Sequence, residues 1–462
     1  MKKTIVDKFK IIGLVALAGS VAVFAGAQAL AQTHASNAPS KVGDALVNAP
    51  AGKTAGAPPA AAAQPLSPQD AAVERGRYVA LAGDCVACHT AGKTSAPFAG
   101  GLALKTPFGK LVASNITQDV ATGIGSWTEE EFTRAVRQGK GKHGENLYPA
   151  MPYNAYVKTS DADMHDLWMY MKTIKPVDNK VVSNQLPFPF NIRLMMFGWN
   201  LFFFDNSPYK PDGSQSVEWN RGAYLVHGLA HCAACHTGKN FLGGDSSDAF
   251  QGGTLAGWYA PEITGSKAGL GDWSVAQTVE YLKTGGNSIT MASGPMAEAV
   301  ENSTQHMTTA DLTAIAVYMK SLPGSTASRL APIAQTDSQM VLGAKVFDIS
   351  CAACHTSGGK GLDGLVTALG GNSALQAKVD TNLINAVLRG TNPAVTQGKP
   401  TGAAMPGFAW KLSDAQIAAV GTYVRNSWGN AAPAVTADSV AKARSTLALP
   451  PQTVFIRESA AR

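Results

Sequence analysis

The sequence of 462 residues is poor in charge and has no long apolar segment beyond its N-terminus. Asp, Glu, Lys and Arg make up 15% of it, against about 25% in ordinary soluble domains. Residues 1–31 carry half of the small net charge of +6, and without a dense basic patch no nucleic-acid partner is expected. No later segment reaches the about 20 apolar residues of a spanning helix. A dinucleotide-binding fingerprint and a catalytic triad are also lacking, so we expect no substrate-oxidising site on this chain.

The N-terminus is typical of an exported protein. A basic segment ends at Lys10, an apolar run follows from Ile11 to Ala27, and Ala29-Leu30-Ala31 offers the small residues of a cleavage site. Residues 1–31 are therefore predicted to be a cleaved signal peptide. The alternative is an uncleaved membrane anchor, because the apolar run is near the lower limit for a spanning helix.

All six cysteines belong to three copies of one motif, Cys-x-x-Cys-His. The copies are Cys85-Val-Ala-Cys88-His89, Cys232-Ala-Ala-Cys235-His236 and Cys351-Ala-Ala-Cys354-His355. Two thiols at this spacing can add to the two vinyl groups of one haem, and the following histidine can supply imidazole to its iron. A zinc site usually needs further ligands at set spacing, and a thioredoxin-like redox pair occurs once in a βαβ context, so both are disfavoured. The sequence predicts three covalently bound haem c groups.

An internal repeat surrounds each motif. A helical stretch with a glycine precedes each motif, and a capped helix that contains a tyrosine closes each copy. The glycines are Gly76, Gly222 and Gly343, and the closing helices begin at Ser160, Thr308 and Ser413. The predicted fold is mostly α, with three tandem cytochrome c-type domains that each wrap around one haem. The third copy lacks the Ile-Thr and Gly-x-Gly-x-Trp stretches of the other two.

The composition divides the chain further. The predicted segments are a flexible Ala/Pro-rich linker at 32–68, domain I at 69–180, an aromatic linker at 181–212, domain II at 213–326, domain III at 327–430 and a C-terminal tail at 431–462. The tail is expected either to fray or to lie against a partner.

A methionine in each repeat is the candidate for the second iron ligand, because c-type haems commonly take a sulfur opposite the histidine. These methionines stand beside a proline, upstream of the closing helix: Met151, Met296 and Met405. Met291 and Met307 lie near Met296 without a flanking proline, and His143 and His306 have no counterparts in the other repeats. With His89, His236 and His355 as proximal ligands, each iron would be six-coordinate. Such an iron has no open position for substrate, which favours electron transfer over catalysis.

Aromatic residues mark two further features. Tyr78, Tyr224, Trp127 and Trp273 are expected to pack on haem or bind its propionates, or else to be ordinary core residues. The segment 187–204 is rich in Phe, Met and Trp, and Arg193 and Asn200 share a narrow polar strip on it. This segment is too short to span a bilayer, so it either lies in the membrane interface or is a buried wedge between domains.

With these motifs the chain resembles the triple-haem cytochrome c subunit of the membrane-bound dehydrogenases of acetic acid bacteria and their relatives. Those enzymes oxidise alcohols, aldehydes, gluconate, fructose or sorbitol. The resemblance implies a periplasmic location on the inner membrane and a large flavin- or PQQ-bearing catalytic subunit as partner, with or without a small third subunit. It implies ubiquinone as the electron acceptor, and haem binding by the six motif cysteines, their histidines, Met151, Met296 and Met405. The alternatives are a freestanding electron shuttle and a haem peroxidase.

Overall fold

The computed structural model of the chain describes residues 66–182, 184–326 and 330–449. The predicted signal peptide, nearly all of the linker 32–68 and the end of the predicted tail lie outside these residues. In the part described, the chain is rich in helix with three small two-stranded antiparallel sheets, which agrees with the predicted mostly α class. None of the helices described there is long and apolar enough to cross a membrane.

The first repeat contains five helices and one hairpin, and a helix in the aromatic segment follows it. The helices are α1 (Pro68–Ala82), α2 (Cys85–His89), α3 (Glu129–Gln138), α4 (Tyr153–Tyr156), α5 (Asp161–Met171) and α6 (Met195–Phe203). The hairpin pairs β1 (Ala103–Thr106) with β2 (Gly109–Val112), so that Leu104 lies opposite Leu111.

The second and third repeats have similar elements in a similar order. The second has α7 (Val217–His227), α8 (Ala233–His236), β3 (Gly253–Leu255), β4 (Trp258–Ala260), α9 (Val275–Thr284), α10 (Pro295–Asn302), a 3-10 turn (Thr304–His306) and α11 (Thr309–Ser321). The third has α12 (Ser338–Ser350), α13 (Ala352–His355), α14 (Thr381–Arg389), β5 (Gly390–Thr391), β6 (Met405–Pro406), α15 (Asp414–Arg425) and α16 (Ala437–Thr446).

Each closing helix starts where its cap was predicted. The side chains of Ser160, Thr308 and Ser413 accept a hydrogen bond from the backbone three residues ahead. A hydroxyl at this position satisfies one of the N–H groups that the first turn of a helix leaves unpaired.

The recurring glycine of each repeat lies where two helices cross: α1 on α5, α7 on α11 and α12 on α15. An added Cβ atom at Gly76, Gly222 or Gly343 would lie 1.8, 2.0 or 2.2 Å from the carbonyl oxygen of Asp166, Ala314 or Ala419, respectively. The same Cβ would also meet the Cβ atom of the tyrosine in the closing helix: Tyr170, Tyr318 or Tyr423. The helices approach so closely that a side chain does not fit, which explains the repeated glycine.

Two large hydrophobic cores hold these helices, and a small third cluster lies between the second and third repeats, where Ala394 meets Ala292, Ala297 and Val300. Buried residues of the first two repeats form one core, from Val79 to Met319. The third repeat has a core of its own, from Val346 to Val440. The first two repeats are therefore packed as one body.

Besides the small apolar cluster around Ala394, the third repeat attaches to the second through polar contacts. The backbone of Tyr259 in β4 is bound on both sides by the amide of Asn382 in α14, at 2.9 and 2.7 Å. Asn385 donates to the carbonyl of Gly257 at 2.9 Å, and the guanidinium of Arg389 lies 4.5 Å from the centre of the Trp258 ring. The hairpin β3–β4 is thus the docking point for α14.

Residues 431–449 pack against the third repeat and do not form a free tail. Val435 and Val440 are completely buried in the core of the third repeat, and α16 packs against α15. The guanidinium of Arg444 donates to Asp414 and to the carbonyls of Ala409 and Leu412. The predicted boundary at 431 was wrong for this part, because two buried valines in an Ala-rich stretch gave too weak a signal.

Candidate haem sites

One cavity of about 2910 Å³ connects the three Cys-x-x-Cys-His motifs. Ligand pockets usually measure about 300–1,000 Å³, so this volume can hold several cofactors of haem size. All twelve predicted site residues lie in its wall: Cys85, Cys88, His89, Met151, Cys232, Cys235, His236, Met296, Cys351, Cys354, His355 and Met405. The cavity therefore brings the predicted cysteine, histidine and methionine ligands together.

The six cysteines lie on or beside the short helices α2, α8 and α13, and no disulfide joins them in the part of the chain described. Burial raises the pKa of Cys85 and Cys232 to about 12 and that of Cys351 to about 11, so these thiols are protonated at neutral pH. In the described part of the chain, no three His, Cys, Asp or Glu side chains converge as metal ligands. This arrangement suits thioether attachment better than a zinc site, which needs about four converging ligands.

The first two motif histidines are held in the orientation that an iron ligand requires. Nδ1 of His89 lies 2.7 Å from the carbonyl oxygen of Ser114, and Nδ1 of His236 lies 2.7 Å from that of Pro261. A carbonyl only accepts, so Nδ1 carries the proton and Nε2 keeps its lone pair. Burial lowers the pKa of both imidazoles, which keeps them neutral. A neutral imidazole is the form that binds iron.

The Ile-Thr stretches of the first two repeats support these carbonyls. Asn115, next to Ser114, donates to the carbonyl of Val177 at 2.8 Å and accepts from Thr117. Glu262, next to Pro261, holds its loop differently, by accepting hydrogen bonds from the hydroxyls of Thr264, Ser266 and Ser325. These loops supply the partners of the proximal histidines, a role that the sequence did not reveal.

The third site differs at the same point. Nδ1 of His355 is buried and has no partner in hydrogen-bonding geometry. Burial lowers the pKa of this imidazole, and the nearby carbonyl of Thr367 partly offsets that shift. Cys354 is also the exposed member of the six motif cysteines. The missing Ile-Thr stretch thus corresponds to a proximal histidine that is held less firmly.

The candidate methionines occupy different kinds of local structure. Met151 precedes α4 in a bend, Met296 lies in the first turn of α10 rather than in a loop, and Met405 pairs with Thr391 in the short sheet β5–β6. Met307 is completely buried in the shared core and does not line the cavity, whereas Met291 does. Met151, Met296 and Met405 stay predictions as iron ligands, with Met291 beside the second.

The remaining histidines have separate positions. His231 lines the cavity, with its ring centre 5.6 Å from that of Tyr156. His227 lies 2.5 Å from the hydroxyl of Tyr318, outside the cavity wall. His306 contacts the carbonyl of Glu301 at 3.2 Å.

The aromatic residues singled out in the sequence divide into two groups. Trp127 and Trp273 line the cavity, as expected for residues that pack on haem. Tyr78 and Tyr224 do not, and their hydroxyls bond to Asp311 and Asp163 of the neighbouring repeat. Their packing fits the alternative, that these two tyrosines are ordinary core residues.

Helix α6 of the aromatic segment is neither a fully buried wedge nor a detached helix. Its polar strip faces the protein: Arg193 donates to the carbonyl of Asn146 at 2.8 Å, and Asn200 accepts from Tyr153 at 2.7 Å. Trp199, on the same side, donates to the carbonyl of Leu242 at 3.1 Å. The opposite side is exposed and apolar. This apolar face consists of Phe188, Leu194, Phe197, Leu201 and Phe202, with Phe241 from the adjacent loop.

These sites define a c-type cytochrome, a protein that holds haem through Cys-x-x-Cys-His motifs. The Cytochrome c family matches residues 73–175 and 340–428, which contain the first and third motifs. Covalently bound haem c is the cofactor of that family.

The relatives identify the branch of the family. The chain is 38% identical over 419 residues to the fructose dehydrogenase cytochrome subunit of Gluconobacter japonicus, covering 83% of this chain and 86% of that one. It is 41% identical over 399 residues to the gluconate 2-dehydrogenase cytochrome c subunit of Pantoea cypripedii, covering 81% and 90%. It is 36% identical over 405 residues to the cytochrome c subunit of an alcohol dehydrogenase (quinone) of Gluconobacter oxydans, covering 83% and 84%. The chain belongs to this family of cytochrome c subunits of dehydrogenases, and its role is electron transfer.

Proposed function

We propose that the chain binds three haem c groups, one at each motif, and carries electrons from a catalytic dehydrogenase subunit to ubiquinone. The observation that carries this proposal is the single cavity whose wall contains all three motifs and the three candidate methionines. Haem c supplies reversible one-electron transfer at its iron. The substrate would be oxidised on the partner, which would bear a flavin or PQQ.

The residues of this chain would attach, orient and enclose the haems. The cysteine pairs fix each haem covalently, while His89, His236 and His355 provide the proximal imidazoles. Ser114 and Pro261 orient the first two of these imidazoles through their carbonyls. The sulfurs of Met151, Met296 and Met405 would also hold the irons, and with two protein ligands each iron would serve electron transfer rather than substrate binding.

Counting the haems tests the first part of the proposal. The exported chain should contain three haems by pyridine haemochrome absorbance and by mass, and replacing both cysteines of one motif by alanine should remove one of them. Three His/Met absorption signatures are expected, and a five-coordinate iron would instead favour a peroxidase. A wild-type chain with fewer than three haems would contradict the proposal.

Co-purification tests the second part. A tagged chain extracted in mild detergent should bring with it a large subunit whose absorbance identifies flavin or PQQ, and the preparation should reduce a ubiquinone analogue when substrate is supplied. A three-haem chain that is released alone and without detergent would overturn the complex and leave a freestanding electron shuttle.

We assign the contact with the catalytic subunit to the third motif. The first two motifs belong to repeats that share one core, whereas the third repeat has a main core of its own. Ile349, just before this motif, is 75% exposed. An accessible haem edge is what electron entry from another protein requires.

We also propose that the apolar face contacts the membrane on the periplasmic side, near the point where ubiquinone is reduced. Phe197 and Phe241 are 64% and 87% exposed, and such contiguous apolar surface usually marks an interaction site. Burying the aromatic side of a short helix in the headgroup region suits this composition. The apolar face also reaches the haem cavity, because Leu194 and Phe202 line it.

Charged substitutions on the apolar face test the membrane contact. Because Trp199 and Phe203 face the protein, Phe197→Glu with Leu201→Glu is the informative change. We expect this variant to be released from membranes without detergent while still carrying three haems. Val217→Glu, at an exposed apolar position of the second repeat, is the control. Unchanged membrane retention of the double variant would exclude this face as the contact.

A further inference from the structure

The first and second repeats contact each other twice through equivalent residues. The Tyr78 hydroxyl donates to Asp311 Oδ2 at 2.6 Å and accepts from the backbone N–H of Thr308 at 3.1 Å. In the reverse direction, the Tyr224 hydroxyl donates to Asp163 and accepts from the backbone N–H of Ser160 at 3.0 Å. Each tyrosine therefore caps the N-terminus of the closing helix of the other repeat.

The two contacts are related as the halves of a two-fold interface. Tyr78 and Tyr224 each stand two residues after the crossing glycine of their own repeat, and Asp163 and Asp311 each stand three residues after a helix cap. A surface patch that binds its own equivalent in this way is isologous, as in a symmetric dimer. We call this pair of contacts the tyrosine clamp.

The third repeat cannot form such a clamp. Lys345 occupies the position two residues after Gly343, and Gln416 the position three residues after the cap Ser413. Its closing helix instead meets α16, and its core is separate. The clamp is thus specific to the first pair of repeats.

The clamped interface also includes the surroundings of the first two haem motifs. Helix α10 packs against α2, and the Ser303 hydroxyl lies 3.4 Å from the carbonyl of Ala82, three residues before Cys85. Burial raises the pKa of Cys88 to about 11, and the thiol of Cys235 is close enough to add to this shift. Any change at the interface would therefore move the two haem attachments relative to each other.

We propose that Tyr78 and Tyr224 are positioning residues that hold the first and second haems at a fixed separation, so that these repeats work as one two-haem unit in electron transfer. This inference rests on the proposed function, because it takes haem to be bound at both motifs. Electron exchange between two sites slows steeply as their separation grows, and a rigid interface keeps it uniform. The third haem, outside the clamp, would exchange electrons with this unit through a different interface.

The two halves of the clamp should respond differently to loss of the hydroxyl. Without Tyr78, Asp311 keeps both hydrogen bonds from the guanidinium of Arg221, at 2.8 Å each. Without Tyr224, the carboxylate of Asp163 loses the one hydrogen-bond donor found for it among the described residues. Tyr224→Phe is therefore expected to loosen the interface more than Tyr78→Phe.

The test uses the full holoprotein with Tyr78→Phe, Tyr224→Phe and the double variant. Hydrogen exchange at the backbone of Thr308 and Ser160 should speed up about fivefold, the factor expected for losing a hydrogen bond between uncharged groups. The magnetic interaction between the first two ferric haems, followed by electron paramagnetic resonance, should weaken and become heterogeneous in the double variant. Tyr170→Phe is the control, because that hydroxyl has no hydrogen-bond partner in the part described.

The haem count separates the two hypotheses. If the variants keep three haems and show wild-type exchange and magnetic coupling, the clamp has no positioning role, and the proposed function is unaffected. If the wild-type chain lacks the first or second haem, the proposed function fails first. Should the double variant not fold, Asp163→Asn provides a milder change, because its amide oxygen can still accept from Tyr224. Intermediate coupling in that variant supports the clamp, and wild-type coupling in Tyr224→Phe overturns it.

Discussion

The glycine at each helix crossing gives a prediction that can be quantified. In Gly222→Ala, the new Cβ atom would lie 2.0 Å from the carbonyl oxygen of Ala314 and 2.7 Å from Cβ of Tyr318. Since real Cβ contacts essentially never fall below 3.0 Å, α7 and α11 must move apart by about 1 Å. Overpacking of this kind costs about 1–3 kcal/mol or more, whereas alanine gains about 1 kcal/mol over glycine in a helix. Because the obstacle is helix backbone, we expect a net loss of about 2 kcal/mol.

Gly198→Ala is the matched control for this prediction. Gly198 also lies within a helix, α6, but an added Cβ would meet no atom within 4 Å. That substitution should leave the free energy of unfolding unchanged or raise it by up to about 1 kcal/mol. Chemical denaturation of the two holoproteins, followed by helical circular dichroism, measures the difference. If Gly222→Ala proves as stable as Gly198→Ala, the close helix crossing is refuted.

Three further predictions concern the third repeat and the clamp. Met405→Ala should remove the Met–iron charge-transfer absorption of one haem without loss of haem, whereas Met340→Leu, at a buried methionine of α12 that does not line the cavity, should leave that absorption unchanged. Arg425 donates to three backbone carbonyls and is 1% exposed, so Arg425→Leu should lower the free energy of unfolding of the third core by about 2–4 kcal/mol in urea. Burial, assisted by the hydrogen bond to Asp163, raises the pKa of Tyr224 to about 12 from 10.0. The contribution of Tyr224 to the free energy of unfolding is therefore complete below pH 10 and declines as pH rises toward 12. Unfolding followed against pH should show this decline, and Tyr224→Phe should lessen it.

The local chemistry of the chain could be predicted from the sequence because it depends on short spacings. The cysteine pairs and their histidines lie within five consecutive residues, and helix caps such as Ser160 act three residues ahead. The repeated glycine was visible for the same reason, although the carbonyl that each one meets was not. These features gave the mostly helical fold, the cofactor class and the family.

Contacts between distant segments were decided only by the tertiary structure. The sequence did not show that Tyr78 bonds to Asp311, 233 positions away, or that Ser114 accepts from His89. It placed Trp199 on a possible membrane surface, and folding turned that side chain toward the protein instead. Such outcomes follow from which helix faces meet, because a tyrosine or tryptophan satisfies its polar atom with whatever partner the packed neighbour presents. The same packing joins two of the repeats in one core and leaves the third with its own.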